Sequence, residues 1–189
     1  MPSRRVGLFG GTFNPPHRGH VAVLHAAAQM GRFDLLEVTV AGDPYQKRDR
    51  GDLLPAALRY AMAVAAFSHL PLVEVSDREL AREGPTYTID TVRELLAGGD
   101  VVDLIVGADL VAQLDTWHEA GELARLVRVG VVPRPGGAGR LSSAWRSYEI
   151  PMDPVDLSST FIRDLSPDAP DLADYVPDEV IPLYRGDRG

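Results

Sequence analysis

Short apolar runs alternate along this chain with longer stretches in which apolar residues recur at helical spacing. Arg5-Val-Gly-Leu-Phe9 has the pattern of a buried strand and is closed by Gly10-Gly11. From about His20 to Met30, Val21, Leu24 and Ala27 or Ala28 share one stripe and predict a helix. The same reading puts strands at Leu35–Val40, Leu72–Val75, Val101–Val106 and Leu126–Val132, and helices at Leu54–Phe67 and Ile89–Leu96. Strands that alternate with helices predict a parallel sheet covered on both faces, an α/β fold. Pro133–Gly139 reads as a loop by composition. It separates this run from a tail that holds Leu157–Arg163 and a last helix near Asp178–Tyr184. The expected organisation is one domain over 1–189, with residues 140–189 as a C-terminal portion.

Composition narrows the function classes. The chain of 189 residues is 45% hydrophobic and 24% charged, with no run long enough to cross a bilayer and no signal-peptide pattern. Zero cysteines exclude a disulfide framework, a thiolate metal site and a cysteine nucleophile, and fit a cytoplasmic location. A net charge of −8 argues against a general binder of nucleic-acid polymers. The charge is uneven: residues 150–189 hold nine acids and three arginines, whereas residues 1–60 hold eight basic and five acidic residues. A small phosphorylated ligand near the amino-terminal third fits better than a polymer. Of the 19 basic residues only Lys47 is lysine, which marks that position, since ammonium and guanidinium differ in geometry and hydration.

The chemistry concentrates where the first strand hands over to the first helix, in Gly10-Gly-Thr-Phe-Asn-Pro-Pro-His-Arg-Gly-His20. Ligands of open parallel sheets bind at the carboxyl ends of strands. The glycines Gly10 and Gly11 would let backbone approach phosphate, and the following helix offers free amides, although on these residues alone Gly10-Gly-Thr12 reads equally as a plain turn. His17 and His20 are three apart and can face one anion, donating hydrogen bonds as negative charge shifts to a leaving group. A second segment, Ser158-Ser-Thr-Phe-Ile-Arg163, places the hydroxyls of Ser158, Ser159 and Thr160 before a helix with Arg163 one turn inside. Taken alone, it reads as a simple helix cap.

The first segment resembles the signature of the adenylyl- and cytidylyltransferase superfamily, Gly-Thr-Phe-Asp-Pro leading into His-x-x-Gly-His, with Asn14 where Asp is common. The second resembles that superfamily's clamp on the β and γ phosphates. Gly84-Pro-Thr-Tyr-Thr88, Gly107-Ala-Asp109, Trp117 and Arg134-Pro-Gly136 extend the likeness to bacterial nicotinate-mononucleotide adenylyltransferases over nearly the whole chain. The resemblance implies a Rossmann-like, doubly wound sheet of nucleotidyltransferase type with a small helical C-terminal portion. It implies His17, His20, Lys47 and Arg163 as catalytic groups on the triphosphate. ATP would be held by Gly10–Phe13, Gly107, Asp109 and Ser158–Thr160. Trp117 would stack on the pyridine ring, with amides near Thr88 and His118 on its carboxylate and Arg134 on a phosphate. From the residues alone, Asp109 and Thr88 read equally as helix caps and Trp117 as packing.

The activity so implied joins the AMP of ATP to nicotinate mononucleotide, giving deamido-NAD and pyrophosphate. Mg2+ would be carried by substrate phosphates, with no metal ligand from the protein. Whether the chain forms a homo-oligomer is open. The rivals are phosphopantetheine adenylyltransferase, which shares both phosphate motifs, and a sensor that holds ATP without turning it over.

Overall fold

The computed structural model describes residues 3–43, 52–136 and 141–186. Its six strands are β1 (Arg5–Gly11), β2 (Leu35–Val40), β3 (Val73–Ser76), β4 (Val101–Gly107), β5 (Arg128–Val132) and β6 (Ser147–Glu149). They form one sheet in the order β3-β2-β1-β4-β5-β6, and every neighbouring pair is parallel. The helices are α1 (Arg18–Gln29), α2 (Ala56–Phe67), α3 (Thr88–Ala97), α4 (Ala120–Leu126), α5 (Ser159–Asp164), α6 (Leu172–Tyr175) and α7 (Ile181–Gly186). A 3-10 turn spans Val111–Thr116.

Strand alternation sorts the core into two clusters, one per face. Phe9, Leu36, Val38, Val40 and Ile105 pack with α1, α2 and the C-terminal residues Ile150, Leu157, Ile162, Leu172, Val176, Val180 and Tyr184. Val6, Leu8, Val102, Leu104, Val106 and Val129 pack with α3 and α4. Burial on both faces explains why the central strands read as continuous apolar runs. This is the doubly wound, Rossmann-like sheet expected from the sequence. The chain reverses direction across the sheet between β1 and β4, the position where such sheets open a crevice.

Several boundaries differ from the sequence reading. The strand expected at Leu126–Val132 begins at Arg128, because Leu126 is the last residue of α4. The apolar run continues through that junction and hides it. Leu72 precedes β3 at φ +64 with its side chain exposed, and its carbonyl accepts from the Leu36 amide. α2 starts at Ala56, since its cap Pro55 is extended and biases the preceding Leu54 away from the helical region, and the Leu54 amide bonds to the Asn14 side chain. α7 starts at Ile181, later than expected, after the Pro177–Val180 turn. β6 was not expected, being three residues long, mostly polar and at the sheet edge. Among the described residues no helix is long and apolar enough to cross a membrane.

Candidate active site

The carboxyl ends of β1 and β4 open into a cavity of about 460 Å³. Every residue given a catalytic or binding role by the sequence reading lines it except Lys47, which with Tyr45 and Gln46 lies outside the described residues. One wall is Gly10–Asn14, His17 and His20, and another is Ser158–Thr160 with Arg163. Gly107, Asp109 and Arg134 contribute from the ends of β4 and β5, and Tyr87, Thr88, Trp117 and His118 complete the lining.

The loop after β1 is shaped by contacts that spacing does not reveal. Phe13 adopts φ +49, a costly conformation for a residue with a side chain. Its ring meets that of His20 edge-on at 5.0 Å. A Cβ on Gly11 would fall 2.7 Å from the Phe13 ring, so only glycine permits this fold-back. His17 caps α1, beginning it at Arg18, and its amide donates to His20 Nδ1 at 3.1 Å. That bond leaves Nε2 as the nitrogen that carries the His20 proton in the neutral ring. The two imidazoles stack at 3.6 Å, and a Cβ on Gly19 would press against His17 at 3.0 Å.

His17 is 1% exposed and its Nδ1 is buried without a hydrogen-bond partner. Burial, aided by the charge of Arg134, pushes its pKa down to about 3. His17 is therefore neutral near pH 7 and offers at most one ring N–H. The reading of two equivalent donors needs that refinement.

Two segments far apart in sequence are tied together at the cavity. Ser159 Oγ donates to the Pro15 carbonyl at 2.9 Å, and Arg163 Nη1 donates to the Asn14 carbonyl at 2.9 Å. Arg163 also pairs with Asp52 at 2.5 Å and donates to Thr160 Oγ1 at 3.3 Å. Ser158 caps α5 by accepting from the Phe161 amide. Asn14 uses both ends of its amide: Nδ2 donates to the Asp52 carbonyl, and Oδ1 accepts from the Leu54 amide. An aspartate could only accept there, so the amide in place of the common carboxylate has a local reason.

Arg134 donates to the Leu157 carbonyl at 2.7 Å and stands 3.7 Å from Asp109. A Cβ on Gly107 would collide with the Asp109 carboxylate, so glycine lets that group fold back over the strand end. Neither Asp109 nor Thr88 is a cap, for Leu110 caps the 3-10 turn and Tyr87 caps α3. Trp117 ends that turn with its buried Nε1 lacking a partner. Tyr87 and His118 stack at 4.1 Å.

Sequence reasoning missed Tyr87 as a ring partner, and also Asp52, Glu79 and Arg59. Glu79 is buried on the cavity wall, accepts from Thr91 Oγ1 at 2.8 Å, and has its pKa raised chiefly by desolvation. Arg59 is 1% exposed, and burial lowers its pKa to about 10. The available signal for Arg59 was a lone charge among the apolar residues of Ala56–Phe67.

Residues 8–165 match the cytidylyltransferase-like family model. The chain is 40% identical to a Methylibium petroleiphilum protein named "Probable nicotinate-nucleotide adenylyltransferase", over 86% of this chain and 79% of that one. It is 33% identical to a Dehalococcoides mccartyi protein of the same name, over 100% and 98% of the two. Among solved structures, Plasmodium falciparum nicotinic acid mononucleotide adenylyltransferase complexed with NaAD superposes with a TM-score of 0.77, covering 98% of this chain and 96% of that one. At 18% identity that likeness speaks to the fold.

Proposed function

Because the chain belongs to the cytidylyltransferase-like family, we propose that its cavity joins the AMP of ATP to nicotinate mononucleotide, forming deamido-NAD and pyrophosphate in NAD biosynthesis. The carrying observation is the closure of the Gly10–His20 and Ser158–Arg163 segments around one cavity, through Ser159 on Pro15 and Arg163 on Asn14.

The reaction needs no nucleophile from the protein. A 5′-phosphate oxygen of the mononucleotide attacks the α phosphorus of ATP, a new P–O bond forms, and the bond to the β-phosphate oxygen breaks as pyrophosphate leaves. The protein aligns the partners and stabilises the charge that moves to the leaving group. In this reading His20 donates from Nε2, and His17 supplies a single ring N–H and the amide that orients His20. Ser158, Ser159, Thr160 and Arg163 hold the outer phosphates, with Gly10–Phe13 along the triphosphate. Asp109 accepts from the ribose hydroxyls beside Gly107, Arg134 offsets phosphate charge, and Lys47 adds a cation. Trp117 carries the pyridine ring, and the amides near Thr88 and His118 take its carboxylate.

Nucleotidyltransferases draw on a divalent metal, and Mg2+ is assigned here to the substrate phosphates. Among the described residues no group of three or more His, Asp or Glu could hold it. Asp52 faces Arg163, Asp109 faces Arg134, and Glu79 accepts from a threonine hydroxyl. A cavity so provided with N–H and O–H donors suits phosphate oxygens, which with water would satisfy Mg2+, and the ion would offset their charge. The same reading places the chain in the cytoplasm.

The test is pyrophosphate release from ATP and Mg2+ with each acceptor in turn. Release with nicotinate mononucleotide supports the assignment, whereas release with phosphopantetheine alone overturns it. No release with any acceptor favours the ATP sensor.

A further inference from the structure

Arg59 sits in the first turn of the apolar helix α2, and among the described residues its guanidinium bonds only to main-chain carbonyls. Nε donates to Leu54 at 3.0 Å, Nη1 to Thr12 at 2.9 Å and Ala41 at 2.7 Å, and Nη2 to Gly42 at 3.2 Å. Among the described residues no carboxylate pairs with it. A cation buried without a counter-charge is costly, and a well-packed apolar side chain would serve stability at least as well. The position of the four carbonyls suggests what the charge is for.

Thr12 belongs to the loop after β1 that carries the phosphate-binding signature. Ala41 and Gly42 follow β2, and the next residue, Asp43, pairs twice with Thr86: its amide donates to Thr86 Oγ1 and its carbonyl accepts from the Thr86 amide, each at 3.1 Å. Thr86 leads directly into Tyr87 and Thr88 on the cavity wall. A Cβ on Gly42 would lie 2.5 Å from the Glu79 carbonyl, so this strand end is packed against backbone and has no room to drift. Leu54 bonds in turn to Asn14. One rigid planar fork thus ties the loop assigned to ATP phosphates to the end of β2, which holds the wall assigned to the mononucleotide through Asp43 and Thr86.

We propose that Arg59 is a positioning residue that sets the spacing between the phosphate loop and the Thr86–Thr88 segment, and so governs transfer between the two substrates rather than the binding of either. The inference rests on the adenylyl-transfer reading. Attack requires the reacting atoms at about 3–3.5 Å, and a misplacement of about 1 Å costs about 10²-fold in rate. Lysine keeps the charge but cannot span four carbonyls, so Arg59→Lys tests the fork itself, with Arg59→Met removing the charge as well.

Wild-type release with nicotinate mononucleotide is the reference, and its absence would count against the proposed function. Hydrogen exchange without substrate tests the Arg59 inference independently. Arg59→Lys is expected to lower kcat about 10²-fold while both KM values stay within about threefold. Amide exchange in residues 10–14 and 86–88 is expected to rise together in the ligand-free variant. Should Arg59→Met fail to fold, Arg59→Lys decides alone. A raised KM for ATP at unchanged kcat would make Arg59 an electrostatic attractor of phosphate and overturn the proposal. So would activity that falls only in proportion to the unfolded fraction, or exchange that rises in one segment without the other.

Discussion

Near neutral pH the two stacked imidazoles at the start of α1 are not equivalent. His17, with its pKa depressed to about 3, takes up no proton until strongly acidic pH, whereas in the unfolded chain it titrates near 6.5. Between those values the unfolded state binds more protons, so stability is full above pH 6.5 and is lost as pH falls. From pH 6.5 to 5 the expected loss from this group is about 2 kcal/mol. Urea unfolding at the two pH values should show that loss in the parent and not in His17→Gln, and an equal loss in both would acquit His17. In the proposed reaction the chemical task falls to His20, and His20→Ala should lower turnover about 10²–10³-fold, as loss of one charge-stabilising donor does elsewhere. Steady-state kinetics on a variant shown to be folded would check this, and near-normal turnover would remove His20 from the site. The pairing of these two histidines was legible from their spacing, but not the burial that makes one neutral, because how far water is excluded from His17 and how near Arg134 lies to it are set by the fold and not by spacing.

At the scale of elements, α1 and α5 each begin at the cavity, and each is capped by a residue that the sequence offered as a ligand. For α5, Ser158→Ala should destabilise the fold by about 1 kcal/mol, because the Phe161 amide loses its acceptor. Ser158→Asn, which can cap equally well, should restore the urea midpoint. If alanine leaves the midpoint where it was, the cap contributes nothing to stability. At two helix starts a cap or a side-chain bond marked the boundary, and at one strand start the apolar run concealed it. Leu54 went to Asn14 and Arg18 took its start from His17, while the Leu126–Val132 run was divided between α4 and β5. Apolar pattern reports which residues are buried, and such local competitions decide where an element stops.

Across the whole molecule, the C-terminal portion is built into the same core as the sheet. Ile150, Leu157, Ile162, Leu172, Val176, Val180 and Tyr184 pack in one cluster with Phe9, Leu36 and α2. Residues 140–189 are accordingly expected to melt with the rest, in a single calorimetric transition whose van't Hoff and calorimetric enthalpies agree. A chain ending at residue 139 should not fold, and two separated transitions would make the C-terminal portion an independent unit. The sequence by itself determined the alternation of strands and helices, the two faces of the sheet, and the residues gathered at the strand ends, because hydrophobic periodicity and the glycine-histidine signature are local properties. Only the tertiary structure decided that Ser159 and Arg163 close on Pro15 and Asn14, that His17 is buried beside Arg134, and that the charge of Arg59 is satisfied by four carbonyls. Each of these depends on which groups meet across the fold and how far water is excluded from them, and neither quantity is carried by the order of residues along the chain.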